Sequence, residues 1–198
     1  MPSGWPASSA ASIDDGQLMM DWRFGTPGEE HFEALLDLRI AVMREHLERV
    51  FRYKPSRARR IFREHFDEPG LRLILTGEEI AGCVGFRIGA EEIKLDSFYL
   101  QQRHHNTGLG TAILKILLAE ADALKLPIRL EVLTGSKADR FYLRHGFVKL
   151  REDSIEGEYE RPVPKVPAAI EARDELAGDA RGKGLTEDVL AKIIDERD

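Results

Sequence analysis

Between Leu71 and Leu133 the hydrophobic pattern changes period twice, and this limits the fold more than any other feature of the chain. The runs Leu71 to Leu75, Ile80 to Ile88 and Ile93 to Leu100 read as strands, parted by the turn segments Thr76-Gly77-Glu78-Glu79 and Gly89-Ala90-Glu91. Three consecutive strands on short turns predict an antiparallel meander. A polar segment, Gln101 to Gly110, then opens directly into a helix whose apolar stripe is Leu109, Ile113, Ile116, Leu117, Ala121 and Leu124. Lys125-Leu126-Pro127 stops that helix, and Ile128 to Leu133 resumes strand character. A strand reached through a helical crossover lies parallel to its predecessor.

The flanks extend this frame. Met19 to Phe24 predicts a first strand, and Phe32, Leu35, Leu36, Ile40, Val42, Met43 and Leu47 recur at helical spacing. A second helix is expected from Pro55, with Ile61, Phe62 and Phe66 on its apolar side. After Leu133 come a short helix, Lys137 to Arg144, and two last strands, Phe147 to Leu150 and Gly157 to Glu160. The class is α+β: one mixed, mostly antiparallel sheet flanked by helices. Residues 1–18 are expected to form a flexible leader, 19–161 the folded domain, and 162–198 a linker with a helical C-terminal extension. In that extension Ala168 to Leu176 is one expected helix. Thr186 caps a second, whose stripe is Val189, Leu190, Ile193 and Ile194. The stripe either docks on its own domain or binds a second subunit or another protein.

Charge and cysteine usage narrow the partners. A formal net charge of −6 argues against nucleic acid, which needs a clustered basic face. The run from Lys54 to Arg60 is read as the solvated face of a short helix. One cysteine, Cys83, cannot form an internal disulfide, and its apolar setting makes it a small buried hydrophobe in a reducing compartment. With no signal-peptide pattern and no run of about twenty apolar residues, the expectation is a cytoplasmic protein without membrane contact.

The segment from His105 to Thr111 carries the chemistry. Gly108 and Gly110 remove side chains where a ligand can approach the backbone, and the following helix start offers unpaired N–H groups and a positive dipole end. This is an anion-binding turn. No Gly-Lys-Ser/Thr closes it as a Walker loop would require, and Ile113 stands where a Rossmann fingerprint needs its third glycine.

The stretch Leu100 to Leu114 resembles the acetyl-CoA motif of the GNAT acetyltransferases, Q/R-x-x-G-x-G/A on a strand-loop-helix. Ala138 to Phe147 is similar to the same superfamily's A-x-x-x-Y-x-x-x-G-F signature. Both motifs stand in the family's order, within a resemblance covering roughly residues 20 to 161. Two positions depart from it: His105 replaces the usual Gln or Arg, and Gly135 or Ser136 replaces a frequent Asn.

The resemblance implies an N-acetyltransferase that moves the acetyl group of acetyl-CoA, its co-substrate, onto an amine of a small molecule or protein. The backbone at Phe98, Tyr99 and Leu100 is then expected to hold the pantetheine arm. The amides of His105, Asn106, Thr107, Gly108, Leu109, Gly110 and Thr111 would take the pyrophosphate, with Ser136 in place of the Asn. Tyr142 falls at the position of the family's general acid. Asp96 and Glu131, on the two strands that flank the site, are the carboxylates able to accept the amine proton or attract a cation. By strand alternation Asp96 and Phe98 share a face. His104 and His105 lack a third ligand at metal spacing, so no metal is expected. A second class remains open, a non-catalytic acyl-CoA sensor signalling through its C-terminal helices, and so does a donor other than acetyl-CoA.

Overall fold

The computed structural model describes residues 21–50 and 54–164. The expected leader and tail helices lie outside the described residues. Strands Trp22–Gly25 (β1), Leu71–Thr76 (β2), Glu79–Ile88 (β3), Ile93–Leu100 (β4), Ile128–Leu133 (β5), Val148–Glu152 (β6) and Glu156–Arg161 (β7) form one sheet. Their order is β1-β2-β3-β4-β5-β7-β6, and only the β4–β5 pair is parallel. Helices Phe32–Val50 (α1) and Pro55–Asp67 (α2) precede the meander, Leu109–Leu124 (α3) makes the crossover, and Ala138–Leu143 (α4) follows β5. The architecture is the mixed, mostly antiparallel sheet with flanking helices that the pattern predicts. Among the described residues no helix is long and apolar enough to cross a membrane.

Each face of the sheet carries its own core. On one, Phe32, Leu35 and Leu36 of α1 and Phe62 of α2 pack on Leu71, Leu73 and Cys83. The rings of Phe32 and Phe66 meet edge to face at 5.2 Å, and the Arg63 guanidinium lies 3.6 Å from the Phe32 centroid. On the other, Leu109, Ile113, Leu114, Leu117 and Ala121 of α3 cover Val84, Phe86, Ile93, Leu95, Ile128 and Leu130. β3 is buried from Ala81 to Phe86 because both layers cover it, so its sequence reads as a continuous apolar run. The stripe expected on α3 needs correction: Leu114 is buried, whereas Ile116 and Leu124 are exposed. Residues step by about 100° around a helix, which carries Ile116 off a face centred on Ile113 and Leu117.

β4 does not alternate regularly. Asp96 faces Gly85 and Tyr99 faces Cys83, so Ser97 and Phe98 together oppose Val84 in a bulge. Ser97 takes a left-handed φ of 48°, and its hydroxyl lies 3.3 Å from His65 Nδ1 on α2. The extra residue resets the parity. Phe98 packs into the α3-side core while Asp96 faces α2, which corrects the expectation that the two share a face.

The Cys83 thiol is fully buried, donates to the Ser97 carbonyl over 3.4 Å, and is pushed up to about 12 by burial. A folded pKa above the unfolded value of about 8.5 contributes stability below that value and loses it as pH climbs toward 12. The loss amounts to about 5 kcal/mol across the window. Denaturant midpoints measured from pH 8 to 11 should therefore fall more steeply for the wild type than for Cys83→Ala. Parallel curves would refute it.

Candidate active site

β4 and β5 are hydrogen-bonded over Ile93↔Ile128 and Lys94↔Arg129 only. Beyond that point they diverge. β4 keeps its antiparallel partner β3, and β5 keeps β7 over its whole length. Two main-chain edges thus face one another across a gap in the middle of the sheet, each with backbone groups that need a partner. Gly82 on β3 lets the tip of β4 lie close: a Cβ there would stand 2.1 Å from the Tyr99 carbonyl oxygen. Phe98, Tyr99 and Leu100 form this tip, with the Phe98 ring 6.3 Å from that of Phe141 on α4.

A 3-10 turn, Gln102–His104, leads from the tip to the glycine turn. Asn106 and Gly108 have φ values of 60° and 93°, left-handed conformations that suit an asparagine and a glycine. The Thr107 hydroxyl donates to the His104 carbonyl over 2.8 Å, and the Leu109 amide reaches it only at 3.4 Å. The Ala112 amide bonds the Gly108 carbonyl at 3.0 Å and is the first within the helix to do so. Leu109, Gly110 and Thr111 therefore present first-turn amides with no acceptor in their own helix. Gly110 lies against Leu100 and Phe141, so the turn abuts the tip of β4. His105 is exposed, with Nε2 2.9 Å from the Leu100 carbonyl oxygen. At the position of the family's Gln or Arg, its ring bridges turn and strand.

Tyr142 is 8% exposed and packs in the cluster that holds Leu95 of β4 with Leu130 and Val132 of β5, the strands that diverge. Its ring meets Phe141 at 5.2 Å and Phe147 at 5.3 Å. Burial pushes its phenol above the usual tyrosine range, and the nearby Tyr99 hydroxyl adds to the shift. It is a phenol that stays protonated. The Ser136 hydroxyl accepts from the Ala138 amide at 3.2 Å, opening α4.

The two carboxylates have different surroundings. Each lies two residues beyond the last β4–β5 pair, Lys94↔Arg129, on the face that bears α1 and α2. Asp96 is nearly buried and its Oδ2 takes the Arg87 Nε at 2.7 Å. Arg87 also donates to the carbonyls of His65, Glu68 and Pro69 at 2.6–2.9 Å, so this pair ties β4 to the end of α2. Glu131 is exposed and stands opposite Glu158 on β7, whose carboxylate is paired with Arg151. Glu156, half-buried beside them, is raised above the usual carboxylate range by burial first and by Glu131 next. Among the described residues no three His, Cys, Asp or Glu side chains are placed to hold a metal.

Two features, the bulge at Ser97 and the burial of Arg39, were not anticipated. The bulge at Ser97 leaves no distinct sequence mark. Arg39 is different: it occupies the apolar stripe of α1, three, four and seven residues from Leu36, Leu35 and Phe32, and it is 7% exposed. A cation at that spacing is a readable signal.

No curated protein sequence is significantly similar to the chain. Solved structures are. PaiA N-acetyltransferase from Thermoplasma acidophilum, in complex with coenzyme A, superposes with a TM-score of 0.59 at 15% identity, over 72% of this chain and 99% of that one. Ard1 from Thermoplasma volcanium gives 0.56 at 18% identity, over 73% and 99%. The ribosomal-protein-S18-alanine N-acetyltransferase of Escherichia coli gives 0.54 at 14%, over 74% and 96%. At such identities these likenesses establish the fold. The model of the acetyltransferase (GNAT) domain matches residues 40–164, well over half of the sequence and including both the glycine turn and the Tyr142 signature, and the chain belongs to that family.

Proposed function

We propose that this protein is an N-acetyltransferase that uses acetyl-CoA and acts on an amine approaching from the α1–α2 face of the sheet. One observation carries the reading. The β4–β5 gap opens directly ahead of a helix start whose first-turn amides have no acceptor in their own helix, and a buried phenol packs in the core cluster shared by the two diverging strands. The coenzyme A bound by the PaiA structure of the same fold supports the choice of donor.

The donor supplies a thioester, whose carbonyl carbon is open to an uncharged amine. The amides of residues 106 to 111 hold the pyrophosphate, where a helix dipole and unpaired N–H groups favour negative charge; the His105 amide is taken by the Gln102 carbonyl at 3.0 Å. The edge of β4 at Phe98, Tyr99 and Leu100 orients the pantetheine arm through its main chain. A backbone N–H near Leu100 hydrogen-bonds the thioester oxygen as charge gathers on it. Glu131 takes the amine proton through water, since its carboxylate is exposed while Asp96 is held by Arg87. Tyr142 gives its proton to the departing sulfur as the C–S bond breaks and the C–N bond forms. Ser136 orients the start of α4 and so the placement of Tyr142.

The test has two parts. Calorimetry should detect CoA binding, weakened when Gly108→Val places a β-branched side chain at a left-handed position in the turn. Thiol release from acetyl-CoA should then depend on an added amine, screened over small amines and peptides. Absence of CoA binding by the wild type would overturn the reading.

A further inference from the structure

Arg39 is a buried charge that the acetyl-transfer reading does not use. Its position on α1 belongs to the core stripe, yet it carries a guanidinium with five N–H donors. Nη1 reaches the Ala58 carbonyl only at 3.4 Å, and Nε has no hydrogen-bond partner. The guanidinium also donates to the Tyr99 phenol oxygen, and that phenol in turn donates to the Met43 sulfur at 3.3 Å. Among the described residues no carboxylate pairs with it; Asp96, on the same face of the sheet, is taken by Arg87. A buried cation with unused donors is costly unless an anion meets it, and removing water from such a charge strengthens whatever pairing it finds.

Its location suggests the anion. Tyr99 is on the tip of β4, at the gap, and its side chain points to the α1 face, with Arg39 and Met43 above it. Tyr99 and Met43 are only half-buried. We propose that Arg39 recognises a carboxylate of the acceptor, so that the amine acetylated here belongs to a molecule carrying both groups. This inference rests on the acetyl-transfer reading and names the substrate class of that site. A carboxylate that meets the guanidinium from the half-buried Tyr99–Met43 side is anchored beside Tyr99, and an amine a few bonds away is directed at the gap. A guanidinium suits this task because its planar fork matches a carboxylate.

Two experiments decide it. In the first, turnover is compared across matched acceptor pairs, each an amino acid and its neutral primary amide. The wild type should favour the carboxylate member by about tenfold or more in kcat/KM, the range of a charge-assisted hydrogen bond. Arg39→Met should bring the pair within about threefold by raising KM for the carboxylate member, and Arg39→Lys should restore part of the difference. The second needs no turnover. At constant ionic strength, sodium propionate should raise the wild-type melting temperature more than propionamide does, and Arg39→Met should abolish that difference. Equal shifts from propionate and propionamide in the wild type would overturn the proposal even if no Arg39 variant folds. So would an Arg39→Met protein that loses stability while keeping the carboxylate preference. Failure of CoA binding would instead remove the acetyl-transfer reading, and the propionate comparison would still report on Arg39.

Discussion

Tyr142→Phe is expected to lower kcat by about 10²- to 10⁴-fold, the usual worth of a positioned general acid. CoA affinity should change by less than about twofold, because the substitution removes one oxygen and no contact with the pyrophosphate turn. The ring keeps its neighbours Phe141 and Phe147, so no cavity forms and the melting temperature should hold. The phenol is well suited to the task. Burial disfavours its anion, so Tyr142 stays a proton donor at pH values where an exposed tyrosine has begun to ionise. The wild-type rate should accordingly show no fall assignable to this group up to about pH 10, the ordinary tyrosine value. Steady-state thiol release and calorimetry together separate the possibilities. An enzyme loses turnover and retains binding; a sensor of acyl-CoA has no turnover to lose. A Tyr142→Phe protein with undiminished kcat would assign the hydroxyl to packing.

The largest stability effect is expected at Asp96. Its carboxylate and the Arg87 guanidinium are 11% and 12% exposed, and removing one partner of such a pair typically costs 3–5 kcal/mol. Asp96→Asn should lie at the lower end, about 3 kcal/mol, because Arg87 keeps three carbonyl acceptors and the Glu68 carboxylate at 3.0 Å. The double variant Asp96→Asn, Arg87→Met should recover part of this loss, since no buried unpaired charge is then left behind and the Glu68 carboxylate is exposed. The same protein tests which carboxylate is the base. Assayed well below its melting temperature, Asp96→Asn should retain kcat within about threefold. Glu131→Gln should fold normally and lose about tenfold or more, with the deficit shrinking as pH rises and more of the amine is already uncharged. The reverse pattern would make Asp96 the base and Glu131 a solvated surface group.

The physical basis of these two expectations was unequally visible in the sequence. Tyr142 sits four residues after Ala138 and four before Gly146, and that spacing survives intact as α4 and its exit turn. Asp96 and Glu131 were placed on the correct strands, but nothing local says that one is locked to Arg87 and the other exposed. Arg87 is nine residues from Asp96 and meets it only because β3 and β4 pair, while the carbonyls that complete its shell come from the end of α2. The exposed Ile116 and the buried Leu114 show the same limit on a smaller scale. A periodic stripe marks a face to within one residue, and the sheet beneath decides its centre.

The sequence alone determined the order of strands and helices, the single parallel connection, the glycine turn at the start of α3 and the phenol that follows it. Each of these is a matter of period, turn chemistry or short spacing, and short-range sterics decide such things residue by residue. The tertiary structure decided the bulge at Ser97, the divergence of β4 from β5, the capture of Asp96 and the burial of Arg39 with no counter-ion among the described residues. Those depend on contacts between segments tens of residues apart, where the environment of a charge is set by what packs over it and not by its neighbours in the chain.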